Sequence, residues 1–254
     1  MLPIVRDLAH SHRTGTTNRR LGAALAFVAG AANAGGFLAV GRYTSHMTGI
    51  VSAMADDLVL GQLALAASGF AALLAFLVGA TSTTIAIHWA RRRRLRSLYA
   101  LPLLLEAVLL LAFGLIGGTL TQRTTFLLPA TVVLLCFLMG LQNAVITKVS
   151  RAEIRTTHVT GLVTDLGIEL GKLFYLNRLP VEAPVLANRA RLRVHLLLIG
   201  CFFVGGVSGA YGFKRFGYGA TVPLALLLGL LAARPLLEDL ELRFRLWRRR
   251  RPSG

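Results

Sequence analysis

Two pairs of side chains in this sequence combine a histidine with an acid at the same spacing. His46 and Asp57 stand eleven residues apart, and so do His158 and Glu169. At 3.6 residues per helical turn, eleven residues make about three turns, so both members of each pair share one helix face. An imidazole changes charge near neutral pH and can exchange protons with other groups. The spacing therefore predicts proton-handling or solute-binding groups on two helices.

The segments around these pairs are two copies of one motif. TSHMTGIVS at 44–52 recurs as TTHVTGLVT at 156–164, and FVAGAANA at 27–34 recurs as FLMGLQNA at 137–144. A third match pairs FLVGAT at 76–81 with FVGGVS at 203–208. Because the matches keep their order along the chain, they predict an internal repeat. The copies differ chemically, since Asp165 stands in the second copy where Ala53 stands in the first.

The repeated segments supply the candidate site residues. Thr44 and Thr156 stand where a helix would begin, and a threonine there would cap the first free amide groups. The predicted solute-binding residues are the repeated polar and glycine positions with two acids of the second copy: Asn33, His46, Thr48, Gly49, Asn143, His158, Thr160, Gly161, Asp165 and Glu169. The predicted proton-coupling groups are Asp57, Glu106, His158 and Glu169.

Each assignment has a structural alternative. The two segments could be amphipathic helices at the membrane interface, with their histidines and acids solvated. Asn33 and Asn143 could join helices through hydrogen bonds instead of lining a site. Glu106 lies inside an apolar run, where a lone carboxyl is either protonated and hydrogen-bonded or a proton site.

The composition predicts that membrane-spanning helices carry these residues. Of the 254 residues, 55% are hydrophobic and only 15% are charged, and the mean hydropathy is +0.64. Such a chain is too apolar for an ordinary soluble domain. A helix needs about 20 apolar residues to cross a bilayer, and runs of about that length are present at 21–40, 63–89, 98–118, 126–146, 194–213 and 218–233.

The basic residues are distributed asymmetrically about these six runs. If the N-terminus is cytoplasmic, all but four of the 28 basic residues fall on the cytoplasmic side, the exceptions being Arg42, Arg123, Lys214 and Arg215. This is the positive-inside pattern, and it predicts that both termini are cytoplasmic. The formal charge of +17 is then a signal of topology, and nucleic acid is not expected as a partner.

The first apolar run follows Arg19 and Arg20 and so imitates a signal peptide. Its Gly, Asn, Ala pattern recurs at 140–144, deep in the chain, so we interpret it as a retained span. The predicted organisation is a disordered cytoplasmic tail at 1–18, a first repeat unit at 19–120, a second at 121–235 and a basic amphipathic tail at 236–254. Such a tail is expected to lie on anionic lipids of the inner leaflet.

The number of spans predicts how the two units are oriented. Each unit contains three spans, so the second unit enters the membrane from the opposite side. The predicted fold is an all-α polytopic transmembrane helical bundle, with six spans plus two half-helical or re-entrant segments in two inverted three-span repeats. Inverted repeats are typical of transporters and channels, with a site near the membrane midplane.

The predicted function is therefore movement of a small solute, and coupling of this movement to protons is a further hypothesis. The competing hypothesis is a non-transporting membrane sensor or an assembly or scaffold protein. The sequence contains no phosphate-binding glycine loop, nucleophile elbow or paired cysteine motif, so no enzyme activity is expected. His46, His158, Asp165 and Glu169 are nevertheless residue types that could serve an intramembrane hydrolase or a metal site. Cys136 and Cys201 stand alone in apolar runs, and we expect neither a metal nor a cofactor. The expected partners are the lipid bilayer and the solute, and assembly with further copies of this chain is a hypothesis.

The repeated motifs resemble the YoaK family of bacterial membrane proteins. The resemblance rests on Met-Thr-Gly at 47–49, Gly-Leu-Gln-Asn-Ala at 140–144, Thr-His-Val-Thr-Gly at 157–161 and Thr-Asp at 164–165. It covers roughly residues 20–234 and implies a multi-pass protein of the bacterial inner membrane whose function is unknown. Members of that family commonly carry an acid where this chain has Asn33.

Overall fold

The computed structural model describes residues 15–95, 97–119, 124–150, 157–176 and 184–250, and within these ranges the chain forms helices and no strands. The helices are α1 Gly15–Val40, α2 Met47–Val59, α3 Leu63–Arg92, α4 Ala100–Thr119, α5 Thr124–Val149, α6 Val159–Phe174, α7 Arg189–Phe216 and α8 Thr221–Arg250. A 3-10 turn, Gly217–Ala220, joins α7 to α8. The all-α prediction is confirmed at this level.

Five helical stretches in the described ranges are long and apolar enough to cross a membrane. They are Arg19–Val40, Leu63–Arg92, Ala100–Gly118, Pro129–Val149 and Arg189–Glu241, the last running 53 residues through α7 and α8. The short helices α2 and α6 have 13 and 16 residues. At 1.5 Å per residue they reach only about 20 and 24 Å, less than the ~30 Å hydrocarbon thickness of a bilayer.

Helix α3 shows how this sequence distributes residues between protein and lipid. Its buried face carries mostly small side chains, at Ala66, Gly69, Ala72, Ala75, Gly79, Thr83, Ile87 and Ala90. Its large apolar side chains point outward, with Leu77 60% exposed and Ile85 64% exposed. Small residues allow helix backbones to approach closely in a membrane, while bulky apolar groups match the lipid. The arrangement indicates a lipid bilayer environment.

Four Phe-x-x-Gly segments form the closest helix crossings. They begin at Phe27 in α1, Phe76 in α3, Phe137 in α5 and Phe202 in α7. Helix α1 packs along α7, and α3 packs along α5. At each crossing the two glycines face the other helix, and a Cβ on either would overlap the carbonyl of the partner's phenylalanine. The helices therefore touch backbone to backbone.

These crossings correct one sequence alignment by a single residue. The sequence comparison paired Gly79 with Gly206, the second of two adjacent glycines. In the structure, Gly205 contacts the carbonyl of Phe27 as Gly79 contacts that of Phe137. Phe203, which the sequence comparison matched to Phe76, is 70% exposed. The equivalent residue is Phe202, because one residue of shift turns a helical side chain by 100°.

The C-terminal helix continues through the predicted boundary at residue 235. Helix α8 contains Pro235 in its interior, and the buried Asp239 lies beyond it. The Asp239 carboxylate accepts hydrogen bonds from the amide of Ser97 at 2.9 Å and from its hydroxyl at 2.6 Å. The helix beyond Pro235 therefore packs against the start of α4. Helix α1 likewise begins at Gly15, within the predicted N-terminal tail; residues 1–14 and 251–254 lie outside the described ranges.

Adding a methyl group at a crossing glycine should destabilise the fold. In Gly140→Ala the new Cβ would overlap the backbone carbonyl of Phe76, which cannot move unless α3 and α5 separate. We expect a loss of at least about 2 kcal/mol and a lower unfolding temperature of the purified protein in detergent. Gly200→Ala is the matched control, because no heavy atom lies within 4 Å of its added Cβ. An unchanged unfolding temperature for Gly140→Ala would contradict the close crossing.

Candidate functional site

An asparagine of α1 holds the segment that leads into α2. The Oδ1 atom of Asn33 accepts hydrogen bonds from the hydroxyl of Ser45 at 2.9 Å and from its amide at 3.3 Å. Helix α2 then begins at Met47, with His46 at the N-cap position. The prediction that Thr44 caps this helix is wrong. Thr44 is buried, and its hydroxyl has no hydrogen-bond partner among the described residues.

The second short helix is held in the same way. The hydroxyl of Thr157 donates to Oδ1 of Asn143 at 2.5 Å, and Nδ2 of Asn143 donates to the carbonyl of Met139 at 2.8 Å. Helix α6 begins at Val159 with His158 at the N-cap. Thr156, which the sequence predicts as the cap of this helix, lies outside the described residues. Both asparagines thus fix the approach to a short helix through hydrogen bonds.

Each N-cap histidine folds over a glycine in the first helical turn. A Cβ at Gly49 would lie 2.6 Å from Nδ1 of His46, and a Cβ at Gly161 would overlap the ring of His158. Neither imidazole makes a capping hydrogen bond. The backbone carbonyls of His46 and His158 accept the first bonds of their helices, at 3.1 Å each. The glycine of the repeated Thr-Gly pair therefore leaves room for the imidazole beside the first turn of the helix.

Helix α2 begins level with the middle of α3, and α6 is tied to the start of α7. After a turn at Gly61 (φ 73°), α3 runs back along α2, and the side chain of Met54 on α2 lies against Gly69 on α3. Because the two helices are antiparallel, seven residues back from Met54 on α2 lie beside seven residues forward from Gly69 on α3. The start of α2 at Met47 is therefore level with Phe76, halfway along α3. Helix α6 runs along α7, with Glu169 bonded to Asn188 at the start of α7. This contact ties the later part of α6 to the start of α7.

One cavity of about 330 Å³, the α2 cavity, lies between the end of α1, the exposed face of α2 and α3. Its wall includes Arg42, His46, Gly49, Ala53 and Asp57. The first predicted stripe, from His46 to Asp57, therefore faces one space. The described residues offer Arg42 and Asp57 no ion-pair partner, and these two side chains do not pair with each other. The cavity thus presents a guanidinium, an imidazole and a carboxylate that are all available to a solute.

A second cavity, of about 480 Å³, lies between α3 and α5. Asn143 lines it, with hydroxyl groups that sequence analysis did not select and one cation: Thr81, Thr84, Thr147 and Lys148. The three hydroxyls donate to carbonyls four residues earlier, at 2.9, 3.2 and 2.7 Å. They therefore present only acceptor lone pairs. For Thr147 the sequence did hold a signal: it follows Asn143 by four residues, which places both side chains on one helix face.

The acid of the second His–acid pair has a different environment from Asp57. Glu169 is 4% exposed, and its carboxylate accepts from the amide of Asn188 at 2.6 Å and from Nζ of Lys172 at 3.0 Å. The amide of Asn188 and the ammonium of Lys172 hold the pKa of Glu169 below its ordinary value of 4.5. Glu169 thus ties α6 to the start of α7. Asp165, one turn earlier, is exposed.

The predicted site residues fall into separate groups. His46, Gly49 and Asp57 line the α2 cavity, and Asn143 lines the α3–α5 cavity. Thr48, Thr160, His158 and Asp165 lie on exposed surfaces of the two short helices, outside both of these cavities. Helices α2 and α6 pack against α3 and α7 and not substantially against each other. The structure therefore does not bring the two predicted stripes together within this chain.

Glu106 lies apart from both cavities, inside the helical core. It is fully buried in α4, and neither carboxyl oxygen has a partner among the described residues. Gln142 on α5 is also fully buried, and its amide donates to the carbonyl of Leu25 at 3.3 Å. The sequence pattern points to Glu106 but not to Gln142. A glutamine next to the repeated Asn143 gave no periodic signal, because the first copy has Ala32 there.

Comparison with known proteins identifies the family. Residues 21–234 match the family model described as "Protein of unknown function (DUF1275)". Since this range covers most of the 254 residues, the chain belongs to that family. No curated protein and no solved structure matches the chain.

Removing the acceptor at position 33 should loosen the start of α2. Asn33→Leu deletes both bonds to Ser45, so we expect the amides of residues 45–51 to exchange hydrogen roughly tenfold faster. Asn33→Asp keeps the accepting oxygen and serves as the matched control. Hydrogen-deuterium exchange with mass spectrometry measures both variants. Equal exchange in the leucine and aspartate variants would contradict the holding role.

Glu169 should stabilise the protein in a pH-dependent way. Because its pKa is lower in the folded chain, its contribution is complete above pH 4.5 and is lost as pH falls below that value. The unfolding temperature of wild type should therefore exceed that of Glu169→Gln at neutral pH, and the difference should shrink at more acidic pH. Asp165→Asn is the control, since its side chain is exposed. A difference that does not change with pH would refute the assignment.

Proposed function

We propose that this member of the DUF1275 family is a bacterial inner-membrane transporter or channel for a small solute. Its sequence motifs also resemble the YoaK family, which suggests the same membrane. In this proposal the chain has six spans, both termini are cytoplasmic, and α2 and α6 are half-helices that enter the bilayer from opposite faces. The 53-residue candidate span contains two helices, and counting each as a span gives six.

The matching contacts of the two halves support inverted repeats. Helix α1 crosses α7 as α5 crosses α3, with the same Phe-x-x-Gly contacts. Asn33 holds Ser45 as Asn143 holds Thr157. Each half has three long helices and one short helix, so an odd number of spans would reverse the direction of the second half. This construction is common among transporters, whose solute sites lie where a helix is interrupted near the midplane.

The α2 cavity is the observation that carries the proposal. It reaches from Arg42 and Asp57 to His46 and Gly49 at the start of α2, which is level with the middle of α3. Non-helical backbone at such a depth is stable only against protein or a water-filled cavity. Ionisable groups in a membrane are rare and mark solute or proton pathways. A histidine at this position offers a means of coupling solute movement to protons.

Cysteine labelling tests whether the cavity holds water. In a Cys201→Ser background, we expect Ala53→Cys to react with a polar, membrane-impermeant thiol reagent, since Ala53 lines the cavity. Phe203→Cys is the matched control, because this exposed apolar position on α7 is expected to face lipid. His46→Cys and His158→Cys test the two helix starts in the same assay.

Solute flux tests the proposal directly. Proteoliposomes carrying the Ala53→Cys protein should take up at least one labelled solute from a screen of small metabolites, and modification of the cysteine should block that uptake. Protection of Ala53→Cys together with absence of flux would overturn the proposal and favour a sensor or scaffold protein.

A further inference from the structure

The α2 cavity carries opposite charges that do not neutralise each other. Arg42 follows the end of α1, and Asp57 lies in the last turn of α2. Both line the same cavity, and their charged groups are not within 4.0 Å of each other. Neither has an ion-pair partner among the residues that the structure describes. A guanidinium favours a carboxylate and an aspartate favours an ammonium, so the pair is complementary to a solute that bears both.

The remaining walls limit the size and character of that solute. The volume of about 330 Å³ is at the lower end of the range for small-molecule sites, which suits a molecule of amino-acid size. Phe37 and Tyr43 stack with ring centroids 4.4 Å apart and an interplanar angle of 19°. Ile50 and Met54 add apolar surface to the same cavity. These side chains fit an apolar body between the two charged ends.

The second copy of the repeat does not offer this pair. The acid equivalent to Asp57 is Glu169, which is already bound to Asn188 and Lys172. The free acid therefore belongs to the first copy alone, although the sequence spacing is the same in both. A solute with only one charge would pair with Arg42 or with Asp57. The other group would carry the same charge as the solute, repel it and remain without a partner.

We propose that the α2 cavity binds a zwitterionic solute of amino-acid size with an apolar side chain, its carboxylate on Arg42 and its ammonium on Asp57. The proposal rests on the proposed function only in taking the cavity as the solute site. It adds the charge pattern of the solute and its orientation. His46, at the inner end of the cavity, is then the next polar group that the solute meets.

The experiment compares three probes that share one side chain: leucine, N-acetylleucine, which keeps only the carboxylate, and leucinamide, which keeps only the ammonium. Each is tested for raising the unfolding temperature of the full-length protein and for slowing labelling of Ala53→Cys. Leucine should act at concentrations at least roughly tenfold below those of either analogue, because each analogue loses one charge-assisted interaction.

Variants then assign each charge to its wall. Arg42→Gln should weaken leucine binding roughly tenfold and remove its advantage over leucinamide; Asp57→Asn should remove its advantage over N-acetylleucine. Asp56→Asn and Arg215→Gln are matched controls on exposed residues outside the cavity, and both should behave like wild type.

The outcomes separate this inference from the proposed function. If Ala53→Cys reacts with the polar reagent but leucine binds no better than its analogues, or does not bind at all, the zwitterion proposal is overturned while the transporter proposal stands. A loss of binding in Asp56→Asn equal to that in Asp57→Asn also overturns it. The analogue comparison needs neither Arg42→Gln nor Asp57→Asn, so it decides even if those variants fail to fold.

Discussion

The direct contact between helix backbones at the four Phe-x-x-Gly segments is the constraint on which the rest of this structure depends. At each crossing, the missing Cβ of a glycine lets the helix rest on a carbonyl of its partner. Packing at this distance gains dispersion energy that larger side chains would prevent, and lipid supplies no hydrophobic force to replace it. Since α1 crosses α7 and α3 crosses α5, the first half of the chain packs mainly on the second half.

The short helices take their positions from these crossings. Asn33 and Asn143 each follow a crossing glycine by three residues and hold the segment that enters α2 or α6. An amide is suited to this role, because the entering backbone has free polar groups that an apolar side chain would leave without a partner. The polar groups near His46 and His158 are therefore a consequence of beginning a short helix beside another helix. In the first half this geometry also opens a cavity between α1, α2 and α3.

The two His–acid pairs show which features could be predicted from the sequence and which could not. Spacing predicted helical segments with both groups on one face, and both segments are helical. It did not distinguish Asp57, which faces a cavity, from Glu169, which is bound to Asn188 and Lys172. The difference arises because the turn between α2 and α3 has three residues, whereas a longer connection between α6 and α7 returns Asn188 to the acid. The predictions that Thr44 caps α2 and that Gly206 is equivalent to Gly79 were wrong for a similar reason. In each case neighbouring residues look equivalent in the sequence, and only the packed structure distinguishes them.

The sequence by itself determined the properties that depend on composition and local spacing. These are the helical class, the apolar stretches long enough for a membrane, and the repeated motif that includes Asn33 and Asn143. The tertiary structure alone decided which helices cross, that His46 takes the cap position expected of Thr44, and that the two stripes lie apart within the chain. The physical reason is that a helix period is set by neighbours a few residues away. A cavity or a hydrogen-bond partner is instead set by side chains distant in the sequence, which only the packing of the whole chain brings together.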